Sequence, residues 1–304
     1  MRFKASFIWL NYNSARFLSL ALNSLKSLFD LNYDNYEIII VDNASLDGSF
    51  EAIKSFVEHH KPSNMKVKII RSSRNRGYSG GNNLGWTNID PSSKYAVFIN
   101  NDLIVEPDSL YKIIEFMKSD ENVGAASGLI YSEDGKTIYS AGGVVTELWN
   151  AIGVCCGLPT YNCYGKDKPH DVSYADGAYM IVNVDIVKNI GINGKPLGIY
   201  YGVRAHTALM NIVKTRFKPI AGFHILRRLA LHSMLCVKGE SKSCSIVRAI
   251  YDGARLGRYA KDRIGTLTLY RAPYLKSKFE ELKCFITGLC EKLEVTFRDL
   301  SNNQ

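Results

Sequence analysis

The chain has 304 residues, of which 46% are hydrophobic and 22% charged, and a formal net charge of +9. These values exclude a disordered polymer and allow one large domain, alone or with a small extension. No apolar run is long enough to cross a bilayer, and the N-terminus lacks the apolar core and cleavage site of a secretion signal, so a cytoplasmic protein is expected.

The first third alternates strand and helix. Ala5 to Leu10 reads as a strand, and Ser14 to Phe29 as a helix with Phe17, Leu18, Ala21, Leu22, Leu25 and Leu28 at helical spacing. Tyr36 to Val41 is a continuous β-branched run, as in a strand covered on both faces. Asp47 to Glu58 reads as a helix, Lys66 to Ile70 and Tyr95 to Asn100 as strands, and Asp108 to Met117 as a helix behind Pro107. This alternation predicts an α/β fold with a mainly parallel sheet flanked by helices.

The middle, from Gly124 to about Asp171, is rich in Gly, Tyr and turn residues and predicts irregular strands and loops. A short buried run and a helix follow, up to Ile190. Leu226 to Arg263 and Lys276 to Phe297 carry helical patterns. The expected organisation is one domain over 1–225 and a basic helical extension over 226–304.

Between Lys238 and Lys278 ten basic residues face only three acids, Glu240, Asp252 and Asp262. A basic amphipathic helix suits an anionic membrane surface, or packs on its own domain with a solvated face. No nucleic-acid reader motif accompanies the charge, so nucleic acid is not an expected partner. The seven cysteines are an odd number without a secretion signal, which predicts mostly reduced thiols. Cys155, Cys163 and His170 lack the paired spacing of a zinc knuckle.

In parallel α/β sheets ligands bind beyond the carboxyl ends of the strands. Four such ends carry polar clusters here: Leu10-Asn11-Tyr12-Asn13-Ser14, Asp42 to Ser49, the Gly-rich loop Arg74 to Asn83, and Asn100-Asn101-Asp102. Each alone is explained by turns and helix caps. Four in register point to a shared crevice. The glycines follow the third strand as Gly77-x-x-Gly80-Gly81, so neither a dinucleotide fingerprint nor a P-loop is present.

The segments Leu10 to Ser14, Ile40 to Ser49, Asn75 to Gly85 and Phe98 to Asp102, which span those four ends, resemble glycosyltransferase family 2, and are especially similar to its rhamnosyltransferase-like branch. The resemblance covers about the first 110 residues. It implies a GT-A fold, a nucleoside-diphosphate sugar donor and inversion at the anomeric carbon. It places Asn11 and Tyr12 at the nucleoside end, and Asp42 with Asn43 against the base or ribose. Asn75, Gly77, Asn82 and Asn101 would line the donor pocket. Asp102 would stand at a divalent metal, Mg²⁺ or Mn²⁺. One carboxylate suffices when substrate phosphates complete the shell.

The resemblance thins further on. A base is needed for the acceptor hydroxyl, on a glycan, lipid-linked or protein-linked acceptor. Gly202 and Val203 occupy the place where an acidic pair is expected. Asp176 and His206 are the substitutes, and His224 is a candidate for the metal or diphosphate. A donor-binding protein without turnover, and more remotely a nucleotidyltransferase, are the rival readings. A family of this kind acting on lipid-linked acceptors would sit at the cytoplasmic membrane face.

Overall fold

A computed structural model describes residues 2–121, 123–145, 151–163 and 166–190, with scattered positions between 213 and 268. In chain order the elements are β1 (Ala5–Asn11), α1 (Leu18–Phe29), β2 (Tyr36–Asp42), α2 (Ser49–His60), β3 (Lys66–Arg71), α3 (Gly77–Trp86), β4 (Tyr95–Asn100), α4 (Ser109–Ser119) and β5 (Ala125–Ser127). Four short strands follow: β6 (Ile130–Tyr131), β7 (Ile138–Ser140), β8 (Gly143–Val145) and β9 (Ala151–Gly153). Then come β10 (Tyr179–Asn183) and α5 (Val184–Ile190). The chain divides into two compact units, Met1–Gly128 with Ala175–Leu197, and Leu129–Tyr174 with Gly198–Gln304.

The first unit is built on a six-stranded sheet of order β3-β2-β1-β4-β10-β5. Strands β3, β2, β1 and β4 are mutually parallel, and β10 runs antiparallel between β4 and β5. This is the mainly parallel α/β arrangement expected. Phe7, Ile8, Trp9, Ile38, Ile39, Ile40, Val97 and Ile99 are buried because helices cover both faces, which is why β1, β2 and β4 read as continuous apolar runs. Ala21, Leu25 and Leu28 of α1 join this core, and the Trp9 indole donates to Ser24 Oγ at 3.1 Å. The expected start of α1 at Ser14 is instead a 3₁₀ turn over Ala15–Phe17, with Leu18 opening the α-helix proper.

The segment read as a Gly-rich loop is largely a helix. Four of the ten residues of α3 are glycine, a composition that disfavours helix by local propensity. Tertiary fit overrides it. A Cβ on Gly85 would stand 2.4 Å from Ile8 Cγ2, and one on Gly81 would stand 2.5 Å from Leu10 Cδ1. These two glycines, four residues apart on one helical face, let α3 lie directly on β1. Their closeness serves the sheet rather than a ligand.

The second unit contains two antiparallel hairpins, β6 with β7 and β8 with β9. Ile138, Val144, Ile152, Val154, Cys155 and Cys163 form its core. Cys155 and Cys163 are joined in a disulfide, their Cα atoms 5.7 Å apart. The expectation of mostly reduced thiols is therefore corrected at this pair, and a zinc site using both thiols is removed. Cys156 is free and exposed. Residue parity carries no information on which cysteines meet in space; the turn at Thr160–Asn162 brings Cys163 back to the end of β9. No helix among the described residues is long and apolar enough to cross a membrane. The boundary expected at 225, and nearly all of the basic extension, lie outside the described residues.

Candidate active site at the strand ends

The carboxyl ends of β1 and β2 are joined by one buried polar network. Asn11 is fully buried, and its Nδ2 donates to Asp42 Oδ1 at 2.9 Å, to Ser45 Oγ at 3.1 Å and to Ser49 Oγ at 3.3 Å. Its Oδ1 accepts from Ser14 Oγ at 2.5 Å and from Asn101 Nδ2 at 3.1 Å. Asn11 therefore binds together three of the four strand-end segments, and its amide is spent on protein partners. Asp42, also buried, accepts the Ser45 N–H at 3.1 Å and lies 3.4 Å from Arg71 Nε. Arg71 also donates to the Ser45 carbonyl at 2.8 Å. A buried carboxylate survives only with such compensation.

The loops here carry left-handed backbone at two non-glycine positions, Asn13 with φ 47° and Ala44 with φ 66°. Such conformations are held by the surrounding contacts. Asn13 Oδ1 accepts the Leu46 N–H at 2.9 Å, and the Asn13 N–H donates to Ser45 Oγ at 3.0 Å. The loop tips left outward are Tyr12, 46% exposed, and Leu46, 90% exposed.

Asn43 and Asn75 tie the β2 loop to the start of α3. Asn43 Nδ2 donates to Asn75 Oδ1 at 3.0 Å and to the Gly77 carbonyl at 3.1 Å, while its Oδ1 accepts the Arg76 N–H at 2.9 Å. Asn75 Oδ1 also accepts the Gly77 N–H at 2.7 Å. Gly77 has φ 68°, a conformation that glycine adopts without penalty.

Inside α3, Asn82 is only 1% exposed, yet neither atom of its amide completes a hydrogen bond of ordinary geometry. Buried polar side chains almost always have partners, so this one asks for an explanation. It stands beside the Tyr78 phenol. The Tyr78 hydroxyl donates to the Gly177 carbonyl at 2.7 Å. Burial pushes this phenol up to about 12; Asn82 works against that shift, and the charges of Asp176 and Asp102 add to it. Both acids therefore act on the same hydroxyl.

Asp102 is exposed just beyond β4 and makes no hydrogen bond or ion pair among the described residues. Asp176 is half-buried, and its Oδ1 accepts the Ala178 N–H at 2.9 Å. Among the described residues no three His, Cys, Asp or Glu side chains gather as a metal cage. A free hard carboxylate at the strand end is a donor set that fits a divalent ion only together with substrate oxygens. His206 and His224 lie outside the described residues.

The structure thus brings Asn11, Asp42 and Asn43 together as a buried framework, ties it to the exposed Asn75 and the half-buried Gly77, and gathers Asn82, Asp102 and Asp176 around Tyr78. Sequence reasoning missed Tyr78, Ser45, Ser49 and Arg71. Ser45 and Ser49 were visible within the Asp42 to Ser49 motif; the partners of Tyr78 and Arg71 are set by tertiary contact alone.

The model of the family described as "Glycosyl transferase family 2" matches residues 6–166. The minor teichoic acid biosynthesis protein GgaA of Bacillus subtilis (strain 168) is 28% identical over 120 residues, covering 40% of this chain and 26% of that protein. The low-salt glycan biosynthesis hexosyltransferase Agl10 of Haloferax volcanii is 25% identical over 201 residues, covering 64% of this chain and 58% of that protein. The chain thus spans about a quarter to three-fifths of the length of these curated relatives. Among solved structures, the mannosyltransferase PcManGT from Pyrobaculum calidifontis aligns over 88% of this chain and 77% of its own, with 16% identity and a TM-score of 0.47.

Proposed function

Because this chain belongs to glycosyl transferase family 2, whose model covers a little over half of its residues, we propose that it transfers a sugar from a nucleoside-diphosphate donor to an acceptor hydroxyl, with inversion. The observation that carries this reading is the gathering of Asp102, Asp176 and the unpartnered Asn82 amide around Tyr78, at the carboxyl end of a parallel sheet. Ligands of such sheets bind at that end.

The residues divide by accessibility. Tyr12 and Leu46 are open to the nucleoside. Asn11, Asp42 and Asn43, buried, and Asn101, half-buried, hold the loops in place beneath it, and the exposed Asn75 ties the Asn43 side chain to the start of α3. Gly77 and Asn82 face the sugar diphosphate, where the Asn82 amide finds the partners that the protein does not provide. Asp102 would hold Mg²⁺ or Mn²⁺ together with the donor phosphates, and a bound ion there supplies neutralising charge for the departing nucleoside diphosphate. Asp176 accepts the acceptor proton as the hydroxyl attacks, and His206 is its alternative in that role. His224 is a second candidate for the ion.

The names of the relatives, teichoic acid and glycan biosynthesis, favour a glycan or lipid-linked acceptor. The basic stretch from Lys238 to Lys278 suits a peripheral place at the cytoplasmic face of a membrane. A second reading, donor binding without turnover, draws on Gly202 and Val203 standing where an acidic pair is expected. Release of free nucleoside diphosphate from a panel of donors, with lipid and glycan acceptors present, separates the two. Turnover of one donor supports transfer; binding without any release favours the second reading.

A further inference from the structure

The loop that carries Asp176 is short, and two backbone carbonyls fix it. Ala175 to Ala178 lead into β10. The Ala178 carbonyl accepts the Asn100 N–H at 3.0 Å, from the end of β4 and two residues before Asp102. The Gly177 carbonyl accepts the Tyr78 hydroxyl at 2.7 Å, from the first turn of α3. The Ala178 N–H turns back to Asp176 Oδ1 at 2.9 Å. Asp176 is therefore oriented by its own loop, and that loop is held by the end of β4, just before Asp102, on one side and the helix of the Gly-rich segment on the other.

From this we infer that Tyr78 is a positioning residue that sets Asp176 for its work on the acceptor. The inference rests on the transferase reading given above. A tyrosine suits the task on two physical grounds. Its hydroxyl is a single donor on a rigid ring, so one hydrogen bond fixes the distance from α3 to the loop. It is also neutral, so it stands near two carboxylates without pairing with either and leaves both charges available. Lysine or arginine in this place would neutralise them. Because α3 also carries Gly77 and Asn82, the hydroxyl links the donor-facing helix to the acid on the acceptor side across 99 residues of sequence.

Tyr78→Phe removes only the hydroxyl and keeps the ring. Displacement of a reacting group by about 1 Å can cost roughly 100-fold, so kcat is expected to fall by about 10-fold or more while the donor KM changes by less than about threefold. Because Tyr78 acts through Asp176, adding Tyr78→Phe to Asp176→Asn is expected to cause no further loss. Wild-type kcat in Tyr78→Phe, or losses that multiply in the double variant, would overturn the assignment. Amide hydrogen exchange of residues 175–178 gives a readout that needs no turnover. Faster exchange in Tyr78→Phe supports the hold on the loop, and unchanged exchange overturns it. If the wild-type protein consumes no donor, the transferase reading fails by itself, and the exchange result still decides whether Tyr78 holds the loop.

Discussion

Asn11 and Asp42 end adjacent parallel strands in register, and the Asn11 amide donates to the Asp42 carboxylate at 2.9 Å. That pair turns two separate strand ends into one platform. Ser45 and Ser49 extend it toward α2, and Asn101 extends it toward Asp102. The platform itself is buried, while Tyr12 and Leu46 at the loop tips are exposed.

Asn11→Ala removes the hub of this platform. It leaves Asp42 buried with one partner fewer and the Ser14 and Asn101 donors without an acceptor. A loss of about 2–4 kcal/mol is expected, since each orphaned buried polar group costs about 1–3 kcal/mol. Urea unfolding measures it. A change below about 0.5 kcal/mol, the range of ordinary surface substitutions, would show that the platform contributes little.

Gly85→Ala tests the contact of α3 with β1. The added methyl meets Ile8 Cγ2 at 2.4 Å, so the helix must move off the sheet. Overpacking of this kind costs about 1–3 kcal/mol, although alanine favours helix by about 1 kcal/mol. A net loss of stability by urea unfolding is the expected outcome, with weaker donor binding, because α3 also carries Asn82. A gain in stability would mean that propensity, not fit, decides this position.

Alkaline pH should weaken the fold. Burial pushes the phenols of Tyr33, Tyr78 and Tyr179 up to about 12, and raises that of Tyr36 as well. An unfolded chain ionises its tyrosines near pH 10, so it loses protons that the folded chain retains. The contribution of these phenols is complete below about pH 10 and is lost as pH rises toward about 12, at up to roughly 1.4 kcal/mol per pH unit for each buried group. Urea midpoints measured across this window should fall steadily. A flat profile would contradict the burial of these hydroxyls.

The disulfide predicts sensitivity to reductant in the second unit. Closing the short loop from Cys155 to Cys163 is worth about 2–3 kcal/mol by chain entropy. Thiol titration of the denatured protein should find two fewer free thiols than cysteines before reduction, if no other pair forms, and thermal unfolding should shift downward after it. A full count of seven free thiols would contradict the bond.

Much of this was legible in the sequence, for a physical reason. Strands buried on both faces must be apolar throughout, so β1, β2 and β4 announced themselves, and the polar residues that follow them marked the ligand end of the sheet. Helix α3 did not, because four glycines erase its local signal and only Ile8 and Leu10, some seventy residues earlier, explain them. The framework asparagines stood out as site residues, yet the sequence could not separate those that touch a ligand from those that hold the loops. Asn11 and Asn82 are the same residue type, both buried; one is fully partnered and the other is not. Tyr78 was hidden because its partner carbonyl belongs to a distant loop with no pattern of its own.

Asp102 is proposed above to hold a divalent ion against the donor phosphates, and donor turnover by Asp102→Ala against wild type checks that role. Each protein is assayed with a nucleoside-diphosphate sugar panel in Mg²⁺ or Mn²⁺, and thermal unfolding is followed in parallel. Asp102 is exposed and makes no hydrogen bond or ion pair among the described residues, so its loss should leave the fold intact. With that role, wild type consumes one donor, turnover falls by about 100-fold or more in Asp102→Ala, and unfolding is unchanged. Undiminished turnover in a stable Asp102→Ala protein would contradict it.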